Sequence, residues 1–186
     1  TLDIWDMQLV AFGIKILQRR KEIIEQINKI ISGIHSKQTG GRESISLSHE
    51  ERTGNRRLEE AQRRYRERDI RMKSTTVGPH RDDICFTAGN GIDIRKFGSQ
   101  GQQRTAALSL ELSEIALVKE EIKDTPILLL DDVLSELDKH RQNYLLDTIH
   151  DIQTIITCTG LDEFVNHRFS INRIFHIRNG HVVNAN

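Results

Sequence analysis

The sequence predicts an α/β protein made of a helical arm and a lobe with a mixed or parallel sheet. Two observations lead to this prediction: apolar residues recur with helical spacing over residues 2–34, and apolar runs of strand length separate helical segments beyond residue 74. Strands that are apolar throughout are typical of parallel sheets covered on both faces. We place the arm at residues 1–73 and the lobe at residues 74–186, because the pattern changes there.

The predicted arm contains a long helix over residues 2–34 and a second helix over about 55–72. Gly40-Gly41 ends the first segment, and the serines that alternate with Ile45 and Leu47 indicate a short strand. The second helix is very polar, so we expect it to be stable only when packed on the first. The apolar residues of the long helix that share one face are Trp5, Leu9, Phe12, Ile16, Ile23, Ile27, Ile30 and Ile34.

The first part of the lobe has the pattern of a hairpin followed by a helix. Ile84-Cys85-Phe86 and Ile92-Asp93-Ile94 flank Gly89-Asn90-Gly91, which is a hairpin signal. Helical spacing then continues from Gln102 to about residue 123.

The second part of the lobe alternates strands and helices. The apolar run 127–130 predicts a buried strand, and Asp138 is a suitable N-cap for the helix that follows. Residues 154–157 predict the next strand, and Asn179-Gly180 between two apolar runs predicts a closing hairpin.

Composition and charge limit the classes of function. The 186 residues contain 27 Lys and Arg against 27 Asp and Glu, and no run of about 18 apolar residues is available to span a bilayer. Cys85 and Cys158 lack the spacing of a zinc site or a disulfide framework, so we expect a reduced, cytoplasmic setting.

The neutral total conceals a basic segment and an acidic segment. Residues 52–73 contain nine basic and four acidic residues, whereas residues 108–138 contain nine acidic and two basic ones. The basic segment suits contact with nucleic acid, and a solvated helix with salt bridges between successive turns is the alternative. The candidate phosphate-contacting residues are Arg56, Arg57, Arg63, Arg64, Arg66 and Arg68.

Two patterns suggest chemistry on phosphates. Asp131 and Asp132 end the predicted strand, where a carboxylate can bind Mg²⁺ and a second one can orient or deprotonate water. The alternative is a core strand whose carboxylates cap the next loop. Residues 99–102, Ser-Gln-Gly-Gln, begin a predicted helix, where free N–H groups favour a phosphate oxygen, and a polar capping loop without a ligand is the alternative.

Three motifs in this order resemble those of ABC-type ATPases. Residues 99–102 resemble the signature loop, residues 127–132 the Walker B strand, and residues 135–138 (Ser-Glu-Leu-Asp) the D-loop. Together with residues 78–83 (Gly-Pro-His-Arg-Asp-Asp), they more narrowly resemble the RecF family of bacterial recombination mediators, and the resemblance extends over nearly the whole chain. The chain looks like the C-terminal half of such a protein, which implies the C-terminal lobe of an ABC-type P-loop ATPase head with a helical arm.

The resemblance implies a site made by two heads that close on ATP and Mg²⁺. Asp131 would hold the metal through its water shell, and Asp132 would lie where many relatives carry a catalytic glutamate. Ser99, Gln100, Gly101 and Gln102 would contact the nucleotide of the partner head, and Ser135 and Asp138 of the D-loop would lie at the dimer interface. RecF-like proteins bind DNA, at junctions or gaps, and work with RecR and often RecO to load recombinase, so the same partners and an ATP-dependent homodimer are expected.

The chain also departs from the ABC pattern. It contains no Gly-x-x-x-x-Gly-Lys-Ser/Thr phosphate loop, so we expect these 186 residues alone to bind ATP weakly and not to hydrolyse it. Asp132 is one methylene shorter than the usual glutamate. Thr157, Cys158 and Thr159 occupy the switch position where many relatives have histidine, and a hydroxyl does not replace a basic imidazole.

Two other functions stay open at the level of sequence. A non-catalytic module that binds DNA or a protein partner agrees with the missing phosphate loop. A metal-dependent nuclease using Asp131 and Asp132 would cut DNA with Mg²⁺ and no nucleotide. His80, Asp82 and Asp83 form a weaker candidate metal site, for which a turn and a paired arginine are the simpler interpretation.

Overall fold

The computed structural model describes residues 2–51, 58–159 and 173–185, and the chain divides into two compact units, Thr1–Asp124 and Thr125–Asn186. The arm boundary predicted at residue 73 falls within the first unit and stays a prediction. The helices are α1 (Leu2–Gln38), α2 (Leu58–Met72), α3 (Ile94–Phe97), α4 (Gln100–Ile122) and α5 (Lys139–Thr148). The strands are β1 (Ile45–Glu50), β2 (Asp83–Ala88), β3 (Leu128–Asp131), β4 (Thr154–Thr157), β5 (Phe175–Arg178) and β6 (His181–Ala185).

The core of the first unit forms where the C-terminal half of α1 packs on α4 and β1. Isoleucines at helical spacing supply the α1 side of this core, because residues three and four apart share one face. A second, smaller cluster joins α2 to the segment after it and to Leu17 of α1. The buried members of the main core are Ile24, Ile27, Ile31, Ile45, Leu47, Ile94, Ala106 and Leu117.

The apolar face predicted along α1 is buried only in part. The helix forms as predicted and runs four residues further, but Trp5 is 64% exposed and Phe12 is 61% exposed. Near Gly13, α1 meets Leu58 of α2 so closely that an added Cβ would lie 2.5 Å from Leu58 Cδ2. Among the described residues, the apolar packing of α1 against the rest of the unit therefore starts at about this level of the helix, while Asp3 and Asp6 nearer its N-terminus form ion pairs with Arg66 of α2.

β1 and β2 pair antiparallel, with Ile45 opposite Ala88 and Glu50 opposite Asp83. The turn predicted at residues 89–91 is present, but the second hairpin strand predicted at residues 92–94 is wrong, because Ile94–Phe97 is the short helix α3. Asp93 caps this helix by accepting from Arg95 N at 2.9 Å. An isolated bridge between Thr87 and Asp93 and a hydrogen bond from Ala88 N to Ile92 O at 2.9 Å remain from the predicted pairing.

In the second unit, β3 and β4 pair in parallel with α5 between them in the chain, which confirms the predicted strand–helix–strand order. Asp138 caps α5 as predicted, and β5 and β6 form the predicted hairpin. The described strands form three separate pairs, one parallel and two antiparallel, within an α/β fold. Leu130 of β3 is buried while Leu129 is 70% exposed, so one face of this pair is not covered by the described residues.

Candidate functional site

The acidic end of β3 lies next to the end of β4. The parallel register places Asp131 opposite Thr157, and Thr157 Oγ1 donates a hydrogen bond to Asp131 Oδ1. Asp132 N lies 3.1 Å from both Thr157 O and Thr157 Oγ1, so it is shared between them. The structure therefore brings together three residues that the sequence separates by up to 26 positions: the two candidate acidic residues and the first residue of the switch position.

Asp132 has a left-handed backbone conformation, with φ 52° and ψ 18°. Aspartate tolerates this conformation better than most residues, and positive φ angles outside glycine are concentrated at turns and functional sites. The turn sends the chain away from the sheet directly after β3 and leaves both Asp131 and Asp132 exposed. Exposed carboxylate oxygens with a neighbouring hydroxyl are a suitable ligand set for a hard cation such as Mg²⁺.

The predicted D-loop folds as a short 3-10 turn, Val133–Glu136, followed by the cap of α5. Ser135 Oγ donates to Asp132 O at 2.8 Å, which ties the turn to the residue that ends the strand. Asp138 accepts from Arg141 N at 3.0 Å and also pairs with the Arg141 guanidinium. The hydrogen bond from Arg141 N, together with the charge of that guanidinium, lowers the pKa of the Asp138 carboxyl.

The predicted signature loop, residues 99–102, forms the N-terminus of α4. Ser99 is the N-cap: its Oγ accepts from Gln102 N at 3.3 Å, while Gln102 Oε1 accepts from Ser99 N at 2.9 Å. This reciprocal capping box satisfies two of the amide groups. The N–H groups of the first helical positions, Gln100 and Gly101, have no partner within a helix, and both residues are exposed.

Packing requires glycine at position 98 but not at position 101. An added Cβ at Gly98 would lie 2.5 Å from Ile94 O, so packing inside the unit excludes a side chain there. At Gly101 an added Cβ would meet only Ser99 Oγ, at 4.0 Å, and the backbone is helical. Neither crowding nor backbone conformation among the described residues requires glycine at 101.

Two residues around this loop were not singled out from the sequence. Gln103 Nε2 lies within hydrogen-bond distance of the carbonyl oxygens of Ile94, Arg95 and Gly98, with Arg95 O nearest at 3.1 Å, and thereby ties α3 to the start of α4. Glu43 accepts from Gln102 Nε2 at 3.1 Å, although it is 59 residues away in the chain. Gln103 directly follows the signature loop in the sequence, whereas Glu43 has no periodic or motif signal. The contacts of both residues depend on the tertiary structure.

Several arginines of the predicted basic helix have partners within the chain. Arg63 pairs with Glu59 at 2.6 Å, and Arg66 pairs with Asp3 and Asp6 of α1. Arg68 donates to Thr76 Oγ1 and lies 4.3 Å from the centre of the Tyr65 ring. Arg64 is exposed, 5.8 Å from the same ring, and Arg56 and Arg57 lie outside the described residues. Arg63 keeps 80% of its side chain exposed despite its pair with Glu59, and Arg64 is exposed as well, so both present positive charge to solvent.

The motif at residues 78–83 packs against α1. The Asp82 carboxylate, 2% exposed, lies 3.2 Å from His49 Nε2 and 3.8 Å from Arg20 Nη1. His80 Nε2 lies 2.9 Å from Thr75 O, and Asp83 pairs with a different arginine. The three residues of the candidate metal site thus face different partners, and no group of three or more potential metal ligands occurs in the part of the chain that the structure describes.

Comparison with known sequences finds curated relatives of this chain. The chain matches no protein-family model. It is 60% identical over 186 residues to the "DNA replication and repair protein RecF" of Lachnospira eligens, covering 100% of this chain and 51% of that protein. It is 52% identical to the RecF of Lachnoclostridium phytofermentans, covering 98% and 50% respectively. The chain therefore spans about half the length of the curated relatives it matches.

Solved structures give the same result. The chain matches the recombination mediator protein RecF in its ATP form with a TM-score of 0.75 and 31% identity, covering 97% of this chain and 49% of that one. The ATPrS form of RecF in the RecFOR pathway matches with a TM-score of 0.76. These similarities confirm the predicted α/β class and the resemblance to RecF. No described helix combines the length and apolar character needed to cross a membrane.

Proposed function

Since the chain is homologous over its whole length to about half of a RecF protein, we propose that it acts as part of a RecF-type, ATP-dependent DNA repair factor. The observation that carries this proposal is the 60% identity to a RecF protein across all 186 residues. The exposed acidic strand end and the exposed N-terminus of α4 support it, because both present groups suited to a phosphate and its cation.

In this proposal the acidic strand end serves the nucleotide in the same head. Mg²⁺, when bound, supplies positive charge that offsets the charge of the phosphate oxygens. Asp131 would hold the cation through its water shell, and the Thr157 hydroxyl would fix the orientation of that carboxylate. Asp132 would orient the attacking water, from the left-handed turn that projects it beyond the sheet.

The signature loop would serve the nucleotide of a second copy of the protein. Ser99 Oγ already accepts from Gln102 N, so its own proton is left for an outside acceptor. The amides of Gln100 and Gly101 point along the helix axis toward solvent and carry the positive end of the α4 dipole. ATP would thus join two heads, with Ser135 and Asp138 at their interface.

The descriptions of the relatives support a proposal about ligands and partners. The solved relatives are described as recombination mediators in the RecFOR pathway. We infer DNA as the ligand of the basic helix, RecR and RecO as protein partners in loading recombinase at gaps, and the cytoplasm as the location. The exposed Arg63 and Arg64 are the residues on which the described part of the DNA contact would depend.

Substitution of Asp131 tests the role of the acidic strand end. Asp131→Ala in the whole protein should abolish Mg²⁺-dependent ATP turnover, whereas Asp147→Ala, which removes an exposed carboxylate from α5, should leave it unchanged. Turnover that persists in Asp131→Ala would remove this residue from the mechanism.

Substitution of Ser99 tests the signature loop separately. Ser99→Arg should block ATP-driven dimerisation, measured by analytical ultracentrifugation, and should leave ATP binding by the monomer unchanged. Ser32→Arg, at an exposed position of α1, is the matched control. Dimerisation of Ser99→Arg at the normal ATP concentration would refute the assignment.

A non-catalytic binding module is the second candidate, favoured by the absence of a phosphate-loop motif from the 186 residues. It predicts DNA or partner binding that does not depend on ATP even in the whole protein. The nuclease alternative needs a cleavage assay, because it predicts that the whole protein cuts DNA with Mg²⁺ and without a nucleotide.

A further inference from the structure

A series of polar contacts links the signature loop to the buried face between α1 and α4. Ser99 N donates to Gln102 Oε1 at 2.9 Å, and Gln102 Nε2 donates to Glu43 Oε1 at 3.1 Å. Glu43 Oε2 lies 3.7 Å from Nε2 of His35, which is fully buried on α1. The side-chain amide of Gln102 therefore lies between the cap of α4 and a carboxylate that follows the end of α1.

The series returns to the loop along α4. Ser109 Oγ donates to Thr105 O at 2.7 Å, and His35 Nδ1 lies 2.9 Å from the same hydroxyl. Thr105 Oγ1 in turn donates to Gly101 O at 2.7 Å. His35, Thr105 and Ser109 are all fully buried. Both ends of the series thus reach the signature loop, one at Ser99 N and the other at Gly101 O.

Glu43 is itself fixed to α1. Its N–H lies 3.3 Å from Thr39 Oγ1, and that hydroxyl lies 2.9 Å from His35 O in the last turn of the helix. The carboxylate is half-buried rather than fully exposed. Because a charged acceptor strengthens a hydrogen bond from an amide, Glu43 selects one orientation of the Gln102 side chain.

We propose that Glu43 is a positioning residue for the signature loop, an inference that rests on the proposed function of that loop. By accepting from Gln102 Nε2, Glu43 turns Gln102 Oε1 toward Ser99 N and so completes the capping box. The loop is then held in the geometry in which the Ser99 proton and the first two helical amides face outward. Without Glu43, the Gln102 amide can rotate, and the loop must be ordered when the partner's nucleotide binds.

The test compares Glu43→Ala with Glu43→Gln in the whole protein. Glu43→Ala should weaken ATP-driven dimerisation about 25- to 100-fold, since a lost cap contact costs about a factor of five to ten in each loop and a symmetric dimer contains two loops. ATP binding by the monomer should not change. Glu43→Gln should restore dimerisation because it keeps an oxygen acceptor, and Glu120→Ala, at an exposed position of α4, is the control.

Hydrogen exchange distinguishes a positioning role of Glu43 from a role in stability alone. Glu43→Ala should accelerate exchange at the Ser99 amide while the amides in the middle of α4 stay protected, and the urea midpoint should stay close to that of Glu43→Gln. Normal dimerisation of Glu43→Ala, or failure of Glu43→Gln to restore it, would overturn the positioning role. If Ser99→Arg also dimerises normally, the proposed function of the loop fails; if only Glu43→Ala does, that function survives and this inference fails.

Discussion

At the scale of single residues, the acidic strand end depends on one hydroxyl. Thr157 donates to the Asp131 carboxylate and accepts from Asp132 N, so one side chain sets the orientation of two candidate site residues. A basic imidazole at this position could exchange a proton with water, but a hydroxyl near pH 7 can only donate and accept hydrogen bonds. We therefore interpret Thr157 as a residue that orients Asp131 and not as a proton acceptor.

Thr157→Val should show this role because it removes the hydroxyl and keeps the size and the β-branched shape. We expect ATP turnover by the whole protein to fall about 10- to 100-fold, as is usual when a partner of a metal-binding side chain is lost. The free energy of unfolding should change by about 0.5 kcal/mol or less, since the residue is exposed. Thr157→Ser keeps the hydroxyl and should retain most of the activity; equal losses in Val and Ser variants would contradict the interpretation.

A second residue-scale feature is the buried carboxylate of Asp82. It lies between His49 of β1 and Arg20 of α1, and Arg20 also donates to Pro79 O at 2.9 Å. Removing a buried counter-charge leaves its partners poorly compensated, which costs more than the pair itself contributes. Arg20 is 28% exposed and can partly reach water, which limits the loss.

Asp82→Ala should therefore lower the free energy of unfolding by about 2 kcal/mol, measured by urea denaturation. The adjacent Asp83 provides a matched control, because its ion pair with Arg95 is exposed and Asp83→Ala should cost less than about 1 kcal/mol. Equal losses for the two variants would show that burial of Asp82 does not determine its contribution.

At the scale of elements, the sequence predicts those helices and strands that local patterns of apolar residues and caps specify. The helices α1, α4 and α5 and the strands β3 and β4 follow from apolar spacing and from caps such as Ser99 and Asp138. The predicted strand at residues 92–94 failed because Asp93 caps α3, and the ion pairs of Arg95 with Glu50 and Asp83 favour that helix. Alternating apolar residues alone do not contain this information.

The candidate site was predictable only as separate motifs. Spacing placed Asp131 and the signature loop at the ends of a strand and at the start of a helix, where the structure has them. The pairing of Thr157 with Asp131 depends on register, and the contact of Glu43 with Gln102 depends on packing between distant segments. Such contacts follow from the tertiary fold and have no periodic signal in the chain.

The structure indicates which arginines of the basic helix α2 are suitable for a test of DNA binding. Arg66 is paired with two carboxylates of α1, so its substitution would disturb packing as well as charge, whereas Arg63 and Arg64 are exposed. The double variant R63E/R64E should weaken DNA binding and reduce the slope of log affinity against log salt by about two, if each arginine contacts one phosphate of duplex DNA.

The matched control for charge is K29E/K37E, which makes the same change at two exposed positions of α1. Fluorescence anisotropy over a series of salt concentrations measures both slopes. An unchanged slope in R63E/R64E, or an equal decrease in K29E/K37E, would exclude a specific phosphate contact by α2.

At the scale of the whole molecule, the two kinds of group that we propose for phosphate and its cation belong to two separate compact units. The first unit carries the signature loop at the N-terminus of α4, and the second carries the acidic end of β3. In the proposed head dimer, these groups act on different nucleotides, so one copy of the 186 residues does not present both to the same triphosphate. The sequence also lacks the lysine and glycine-rich loop that normally surround the β- and γ-phosphates.

It follows that the 186 residues by themselves should bind Mg-ATP only weakly, with a dissociation constant of about 1 mM or above, near the weak end of the usual range. Each remaining group contributes one or two hydrogen bonds to phosphate, and without a preformed cradle these have to offset the full cost of immobilising the nucleotide. Equilibrium dialysis of the chain against Mg-ATP measures this directly, with the full-length RecF of Lachnospira eligens as the comparison. Micromolar affinity of the chain alone would mean that these two units already form a complete nucleotide site, and the division of the site between two heads would then have to be abandoned.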